Sequence, residues 1–552
     1  MKTKKMKRLT AVALAMLMLA LAGCTDKSAT RNEKVVAKRN DPAMYNEPGT
    51  YPILKEKKTL SIMTPSNALV ENFETSHYTK MLEEKGGVDL EFVLLPATDG
   101  ASKFSVMVAS QTELPDILCA IPGDFTSFIY SGLVVPVQDY YADPDASYHF
   151  HQAVSDEKLR DELLANTRMA DGNNYGIMRY SKEPWNEYSY RGWINQTWLD
   201  KLGLPMPETT EDFYNTLVAF KENDLNGNGK KDEIPLMGST DGWNQNPIPF
   251  LMNAFIYADA KNNYMFIEDG KIDVAFNKPE WKEGLKYINK LVKEGLLSPL
   301  TFTQNQSQFK TILEDPDKQV MGSMMAGSLT VYSSTEHPNR ADMQPMKPLK
   351  GPKGACYATY NPSVPVDMTY ISKYCDDPET AFRVMEYCFS EEMSISGRYG
   401  KRGEHWDYLN EKESNSLGAD FLGRKPAFKE LKLIWGNPQT AHWQNLNPGI
   451  MGVKNIVLPA PTDMTAAAVP LYMDKHPEEI IARIVHTTDE LTDIADIETS
   501  IKSYVSECMT RFVLGDMSFD EWDDYVKELD KMGLEDYLRI KQAAYDRVKD
   551  VK

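Results

Sequence analysis

The chain has 552 residues, of which 42% are hydrophobic and 26% charged, and its net charge is −19 because 80 acidic side chains outnumber 61 Lys and Arg. So acidic a surface is poorly suited to nucleic acid or to anionic lipid, and neither is expected as a partner. The length allows two or three domains with large cores.

The amino terminus has the pattern of a secretory signal peptide over residues 1–23. Residues 2–8 carry five Lys or Arg, and the apolar, charge-free run 9–23 that follows is short for a membrane span. The run ends Leu21-Ala22-Gly23-Cys24, which matches the bacterial lipobox and predicts cleavage before a lipid-modified Cys24. The acyl chains would then be the only membrane attachment. Loss of the five leader cations takes the net charge from −19 to −24.

Residues 24–50 are polar and show neither a helical nor a strand period, which predicts a disordered tether behind the lipidated cysteine. Beyond it five cysteines are scattered without CxxC spacing: Cys119, Cys356, Cys375, Cys388 and Cys508. This pattern indicates neither a zinc site nor a disulfide framework. One bridge remains an alternative, but buried free thiols are the preferred interpretation.

The first part of the body alternates strands with helices. Strands are predicted over 58–63, 88–95 and 115–120, with a helix through Lys85 between the first two and a further short strand within 132–141. Such alternation predicts a parallel sheet whose functional loops follow the carboxyl ends of the strands.

The rest of the chain becomes increasingly helical. Residues 170–177 are a plausible crossing between domains, and Thr209 begins a capping box with Asp212 ahead of an amphipathic helix. Pro279 starts another helix, which Gly295 stops, and a third starts at Asp377-Pro378. The last 60 or so residues have helical periodicity almost throughout.

The stretch DLNGNGKKDE (224–233) resembles the first half of a calcium loop, but Pro235 stands where an EF-hand has its final glutamate. Hard oxygen ligands at alternate positions allow a tight loop to wrap one calcium, and Glu233 can supply the closing carboxylate. The candidate ligands are Asp224, Asn226, Asn228, the carbonyl of Lys230, Asp232 and Glu233. The alternative is a solvated turn rich in Asn and Gly. A calcium bound here would brace the second lobe and take no part in catalysis.

Several segments, taken in order, resemble the large lipoprotein branch of family 1 of extracellular solute-binding proteins, which serve carbohydrate-type ABC importers. They are GLVVPVQDYY (132–141), the segment from WINQTWLDKLGL to KKDEIPL (193–236), and the helix at 378–389 with SEEMSISGRYGKRGEHW after it. The similarity extends over about residues 55–552. Members of this family carry the pattern of 224–233 as a structural calcium site, and every position of it is matched here.

The resemblance implies an α/β, two-lobed periplasmic-binding-protein-like fold of type II with a helix-rich second lobe. The expected first lobe is 51–175 with about 329–410, and the second is 176–328 with about 411–552. It further implies a monomer, anchored by lipid to the extracellular face of the cell membrane, that delivers an oligosaccharide or related polar solute to ABC permease subunits.

The residues themselves give no sign of catalysis, since HExxH, GxSxG and P-loop motifs are absent from the sequence. A pair of carboxylates for glycoside hydrolysis is set in space and not in sequence, so a secreted glycosidase or lyase remains an alternative. A surface sensor or adhesin on the same fold is another.

Sugar sites combine aromatic faces with amides and carboxylates, which directs attention to loops that follow strands. Trp243, with Asn244 and Asn246, follows the strand IPLMG and is the first candidate for stacking. The remaining ligand candidates are Ser66, Asn67, Asp124, Phe125, Trp193, Met325, Ser328, Arg402, Glu404 and Trp406. Each has an alternative role in the core or in solvent. Trp198, Trp281 and Trp522 are predicted to be core, whereas Trp185, Trp193, Trp435 and Trp443 fit cleft or core equally.

Overall fold

The structure is a computed structural model of the whole chain. It describes residues 37–123, 125–315, 319–329, 338–420, 422–432, 434, 438–454, 456–457 and 464–550. The predicted signal peptide, Cys24 and residues 24–36 of the predicted tether lie outside the described residues, as do Asp124 and Trp435.

Two sheets organise the body. The strands are β1 (Lys58–Pro65), β2 (Val88–Leu95), β3 (Ile117–Cys119), β4 (Gly176–Ser181), β5 (Gly192–Asn195), β6 (Ile234–Leu236), β7 (Met265–Glu268), β8 (Lys271–Val274), β9 (Met321–Met325), β10 (Met343–Pro345), β11 (Val366–Ile371), β12 (Trp406–Tyr408), β13 (Phe428–Glu430) and β14 (Gly449–Met451). A six-stranded sheet has the order β14-β4-β11-β3-β1-β2, and a four-stranded sheet has the order β10-β5-β9-β6. We call the parts built on them the first and second lobe.

The parallel sheet expected from the sequence is present in the first lobe. Strand β1 pairs in parallel with both β2 and β3, whereas β11 arrives antiparallel between β3 and β4. Two small antiparallel ribbons, β7-β8 and β12-β13, complete the strands.

Sheet membership revises the proposed lobe limits. Strand β4, which starts at the predicted boundary, belongs to the six-stranded sheet, and so does β14 near the carboxyl end. Strand β10, predicted in the first lobe, pairs with β5 in the second. The chain therefore crosses between β4 and β5, between β10 and β11, and again after β14.

Helices occupy most of the remaining chain. They are α1 (His77–Gly86), α2 (Gly100–Ala109), α3 (Thr126–Tyr130), α4 (Gln138–Tyr141), α5 (Tyr148–Ala153), α6 (Glu157–Thr167), α7 (Pro184–Glu187), α8 (Gln196–Leu202), α9 (Thr210–Glu222), α10 (Pro247–Met252), α11 (Pro279–Lys293), α12 (Gln306–Leu313), α13 (Pro338–Ala341), α14 (Pro378–Glu386), α15 (Glu391–Tyr399), α16 (Glu411–Leu417), α17 (Thr465–Tyr472), α18 (Thr488–Leu514), α19 (Trp522–Lys531) and α20 (Leu534–Asp546). Short 3-10 helices are at Pro42–Met44, Ala260–Asn262, Ala275–Asn277, Pro299–Phe302, Tyr387–Phe389 and Phe519–Glu521.

Several helix signals of the sequence are confirmed. The Thr209–Asp212 capping box starts α9, and Pro279 is the first residue of α11. The 27-residue α18 accounts for much of the helical carboxyl-terminal part. Trp198, Trp281 and Trp522 are all buried, as predicted, and pack in the main hydrophobic core. Helix-rich packing around the second lobe follows from these amphipathic faces.

Two predictions about the early chain are wrong. The strand expected within 132–141 is only a single bridge between Val134 and Ser372, and α4 occupies its second half, because Pro136 cannot donate to a ladder. The tether is not disordered as far as residue 50. Residues 37–57, which we call the N-terminal strap, lie on the first lobe, where Tyr45 and Leu54 are buried.

The strap is held by hydrogen bonds to several elements of the first lobe. The Tyr140 hydroxyl donates to the Lys38 carbonyl at 2.6 Å, and the backbone N–H of Ile53 donates to the Lys85 carbonyl at 2.7 Å. The Tyr51 hydroxyl lies 2.8 Å from Nε2 of His149. The strap has little hydrophobic periodicity. It is ordered by contacts with distant residues, which its own local sequence does not predict.

The cysteine interpretation is confirmed, since the five described cysteines are all free and only Cys356 is not fully buried. Within the part of the chain that the structure describes, no helix is long and apolar enough to cross a membrane.

Candidate functional site

Trp243 lies in the loop after β6, at the carboxyl edge of the second-lobe sheet, and 41% of its surface is exposed. Its ring lies directly on the backbone of Gly327, because a Cβ added at Gly327 would be 2.3 Å from Cδ2 of the ring. The Gly327 N–H also donates to the Trp243 carbonyl at 3.0 Å. Only glycine permits this close approach, which fixes an exposed indole at a strand end.

Polar side chains fix the loop that carries this ring. Nδ2 of Asn244 donates to Oγ of Ser189 at 2.9 Å, which joins the loop to the crossing segment before β5. The buried Arg191 guanidinium donates to the carbonyls of Gly327 and Trp185 and holds both backbones. We call Trp243, Asn244, Ser189 and Gly327 the Trp243 surface. In open α/β sheets, ligands bind in the crevice beyond the carboxyl ends of the strands, where this surface lies.

The first lobe presents Ser66 and Asn67 at the equivalent end of β1, both partly exposed. The Ser66 N–H donates to the Leu95 carbonyl at 2.8 Å, and Oδ1 of Asn67 accepts from the Leu69 N–H at 2.9 Å. Val366, 59% exposed, begins β11 in the same sheet. The loop after β1 is therefore a fixed polar turn, and Val366 lies two strands away across β3.

Other residues singled out from the sequence lie in the interior. Trp193 and Trp406 are fully buried and donate through Nε1 to the carbonyls of Ala326 and Gly400, at 2.9 and 2.7 Å. Met325 is fully buried, and Phe125 stacks on Tyr370 at 4.3 Å between ring centroids. Burial favours a packing role for all four, and the proposed ligand set leaves them out.

The remaining candidates are divided between caps and surface. Asn246 caps α10 by accepting from the Ile248 N–H, and Ser328 is buried beside Gly327. Arg402 is exposed, pairs with Asp407 at 3.2 Å and lies over the Tyr408 ring. Glu404 is an exposed neighbour of Lys401. The structure therefore does not group Arg402, Glu404 and Trp406 as one binding surface. Trp185 and Trp443, the two described tryptophans left open by the sequence besides Trp193, are also buried.

An aromatic cluster at the crossing segments was missed from the sequence. The Tyr360 ring stacks on His476 at 4.4 Å and approaches Tyr188 at 4.9 Å. Burial raises the pKa of the Tyr188 phenol to about 12, and the neighbouring Glu187 adds to the rise. Tyrosine-dense loops, EYSY at 187–190 and YATY at 357–360, were the available signal. Because Ser189 belongs to one of them, the cluster adjoins the Trp243 surface.

The loop 224–233 is closed on itself by hydrogen bonds to its carboxylates. Oδ1 of Asp224 accepts from the N–H of Gly227 and of Asn228, at 2.8 and 3.1 Å. Asp232 accepts from the side-chain amides of Asn226 and Asn228, both at 3.0 Å, and these bonds lower its pKa, the one from Asn228 most. Gly227 and Gly229 have φ of +77° and +80°, which the tight turn requires.

The donor set of this loop fits a hard cation. Glu233 is buried, its Oε1 accepts from the Leu225 N–H at 2.6 Å, and its Oε2 has no hydrogen-bond partner in the described part of the chain. None of the ion pairs of the described residues involves Asp224, Asp232 or Glu233. Nor is there a described group of three or more His, Cys, Asp or Glu arranged for a metal, so amide and carbonyl oxygens would have to complete the set.

Comparison with known proteins identifies the family. The model of the family described as bacterial extracellular solute-binding protein matches residues 61–394. The chain belongs to this family. Among curated relatives, the fructooligosaccharide ABC transporter substrate-binding protein FusA of Streptococcus pneumoniae is 28% identical over 98% of this chain and 97% of its own length. Lipoprotein LipO of Bacillus subtilis is 30% identical over 44% of this chain and 45% of its own.

Solved structures of solute-binding proteins have the same fold. FusA of Streptococcus pneumoniae in complex with kestose superimposes with a TM-score of 0.75 at 24% identity, covering 90% of this chain and 100% of that one. An extracellular solute-binding protein of Bifidobacterium longum subsp. infantis gives 0.72 at 18% identity, covering 89% and 98%. The expected two-lobed α/β fold is confirmed, and the crevice between the lobes is the place where this fold binds ligand.

Proposed function

We propose that this protein is a receptor that captures an oligosaccharide outside the cell and delivers it to the permease subunits of an ABC importer. Three observations support the substrate class. A fixed, exposed indole lies at a strand end of the crevice, polar side chains adjoin it, and FusA, the full-length relative, is named for fructooligosaccharide transport. The exposed Trp243 is the observation that carries the proposal, because pyranose and furanose rings present apolar faces to such indoles.

The location proposed is the extracellular face of the cell membrane, with lipid at Cys24 as the anchor. The lipobox sequence and the likeness to a lipoprotein of Bacillus subtilis support it. Residues 25–36, 12 in number, separate Cys24 from the strap and span at most about 40 Å, since an extended residue spans about 3.3–3.6 Å.

Calcium is proposed as a structural ion in loop 224–233. Asp224, Asn226, Asn228, the Lys230 carbonyl, Asp232 and Glu233 would hold it, and the unpartnered Oε2 of Glu233 supports the assignment. A calcium ion would neutralise carboxylates that the chain itself leaves without cations. The site would tie the end of α9 to β6 in the second lobe and take no part in any reaction.

Ligand binding tests the proposal directly. Thermal shift and calorimetry with kestose, nystose and series of other glycans should give saturable binding for one series, with no product by mass spectrometry. Trp243→Ala should weaken that binding by about 5-fold or more, because loss of a stacked ring costs about 1–3 kcal/mol. Leu417→Ala, which shortens another exposed apolar side chain on α16, is the matched control and should bind as the parent does.

The outcomes separate the alternatives. Binding by both variants alike would remove Trp243 from the site, whereas failure of every glycan to bind would overturn the substrate class. Cleavage of a bound glycan would replace the receptor with an enzyme on the same fold.

A further inference from the structure

The segment between α17 and α18 belongs to the second lobe by its contacts. Nδ2 of Asn262 donates to the Ile481 carbonyl at 3.0 Å, and the Val485 N–H donates to the Ala544 carbonyl at 3.3 Å. Asn262 precedes β7 and Ala544 is in α20, and Ile481 shares one hydrophobic core with residues of β7, β8 and α20. Residues 481–486 are therefore fixed to that lobe.

The same segment forms hydrogen bonds to the first lobe. The Arg483 guanidinium donates through Nη1 to the Ala165 carbonyl at 3.2 Å and through Nη2 to the Arg168 carbonyl at 2.7 Å. The Tyr130 hydroxyl, at the end of α3, donates to the His486 carbonyl at 2.8 Å. These bonds join elements of the two lobes through side chains and not through the continuous chain.

The Arg483 contact is a helix cap supplied in trans. Ala165 and Arg168 are at the carboxyl end of α6, whose last turn contains no basic residue of its own and whose final carbonyls carry partial negative charge. A guanidinium donating there makes charge-assisted hydrogen bonds, which are stronger than neutral ones. The second lobe thus supplies a cation at the carboxyl end of a first-lobe helix, where the Ala165 carbonyl also accepts from the Arg168 N–H at 3.3 Å.

Arg483 also lies within electrostatic range of a buried acid of the first lobe. Burial raises the pKa of Asp367, near the start of β11, to about 7, and the Arg483 charge opposes that rise. Burial lowers the pKa of the Arg483 guanidinium, while Asp367 and Tyr130 raise it. Partial removal from water makes these contacts worth more than equivalent ones on an open surface.

The interlobe bonds of Arg483 and Tyr130 matter if the lobes move about a hinge. Because these bonds span the two lobes, a rotation that carries residues 481–486 away from α3 and α6 breaks the bonds of Arg483 and Tyr130. We propose that Arg483, Tyr130 and the His486 carbonyl form an interlobe latch that holds the lobes together in the ligand-free protein. The latch depends on the two-lobed fold and not on which solute binds.

Small-angle X-ray scattering of the full mature chain, with calcium and without glycan, tests the latch. Arg483→Met should increase the radius of gyration and the maximum dimension, because the unlatched lobes spend more time apart. Arg160→Met is the matched control: Arg160 is in α6 and donates through Nη1 to the Val154 carbonyl at 2.7 Å, entirely within the first lobe. It loses the same charge and should leave the scattering curve unchanged.

Milder variants keep the test decisive. Tyr130→Phe removes one bond and should give an intermediate increase, while Arg483→Lys, which keeps the charge, should restore part of the parental curve. Identical scattering by Arg483→Met and the parent would overturn the latch. If Arg483→Met fails to fold by circular dichroism, parental scattering by Tyr130→Phe overturns it instead. Failure of every glycan to bind would refute the proposed substrate and leave this result standing.

Discussion

The N-terminal strap and the loop 224–233 both bring carboxylates close to backbone, but they neutralise them differently. Under the strap, Glu379 is 2% exposed and receives hydrogen bonds from the Arg383 guanidinium and from the Asn40 N–H at 2.8 Å. In the loop, Asp224, Asp232 and Glu233 receive only N–H groups of the loop itself.

The difference separates two ways of bracing a large domain. A buried charge is tolerated when the protein supplies both a cation and hydrogen bonds, which the strap and α14 do together. A cluster of acids without a cation repels itself, and its stability then depends on an ion from solution. The strap should therefore be insensitive to calcium, whereas the loop should depend on it.

Removal of calcium is expected to have the largest effect. A calcium concentration 1,000 times Kd stabilises a protein that binds only when folded by about 4 kcal/mol. Excess chelator should therefore lower the melting temperature, measured by calorimetry, because the folded state loses this stabilisation. Glu233→Gln should melt at the same temperature with and without calcium.

The control for the loop is another acid of the second lobe. Glu268→Gln changes an exposed carboxylate on β7 and should keep the full response to calcium. A parent protein that melts at the same temperature in calcium and in chelator would contradict the calcium assignment. The loop would then not differ from the strap in its dependence on calcium.

Loss of the α14 carboxylate that the strap covers should be the next largest effect. Glu379→Ala removes the carboxylate that pairs with the Arg383 and Arg39 guanidinium groups. Breaking a buried ion pair costs about 3 kcal/mol or more of the free energy of unfolding. Urea unfolding should show this loss equally in calcium and in chelator. Glu84→Ala, which removes a carboxylate whose side chain is 74% exposed, should stay within about 0.5 kcal/mol of the parent. A calcium-dependent loss in Glu379→Ala would contradict the independence of the two braces.

These two regions also show what the sequence can and cannot predict. The loop was recognised because its ligands are alternate residues in one short stretch, and β2 was predicted to its limits because Val88–Leu95 is a continuous strand pattern. The order of the strap was not predicted because its contacts are distant in sequence. Tyr45 bonds to Thr380, 335 positions away, and Tyr51 bonds to His149, 98 positions away.

The same reason explains the tryptophans. Trp193 and Trp243 both belong to the second lobe and both lie near strand ends, yet one is fully buried and the other is 41% exposed. What separates them is Gly327, whose backbone supports the Trp243 ring, and the Ala326 carbonyl, which accepts from Trp193. Both partners come from a strand end more than 80 residues along the chain, so periodicity around either tryptophan gives no distinction.

The smallest effect is expected at the outer edge of the strap. Arg39 pairs with Asp143 and, at 3.4 Å, with Glu379, but its side chain is 43% exposed and Glu379 keeps Arg383. Arg39→Met should therefore cost less than about 1 kcal/mol in urea unfolding, because solvent screens exposed pairs. Combined with Glu379→Ala, it should add less than it costs alone, since its second partner is already gone. A loss as large as that of Glu379→Ala would show instead that Arg39, and not Arg383, is the cation on which the strap depends.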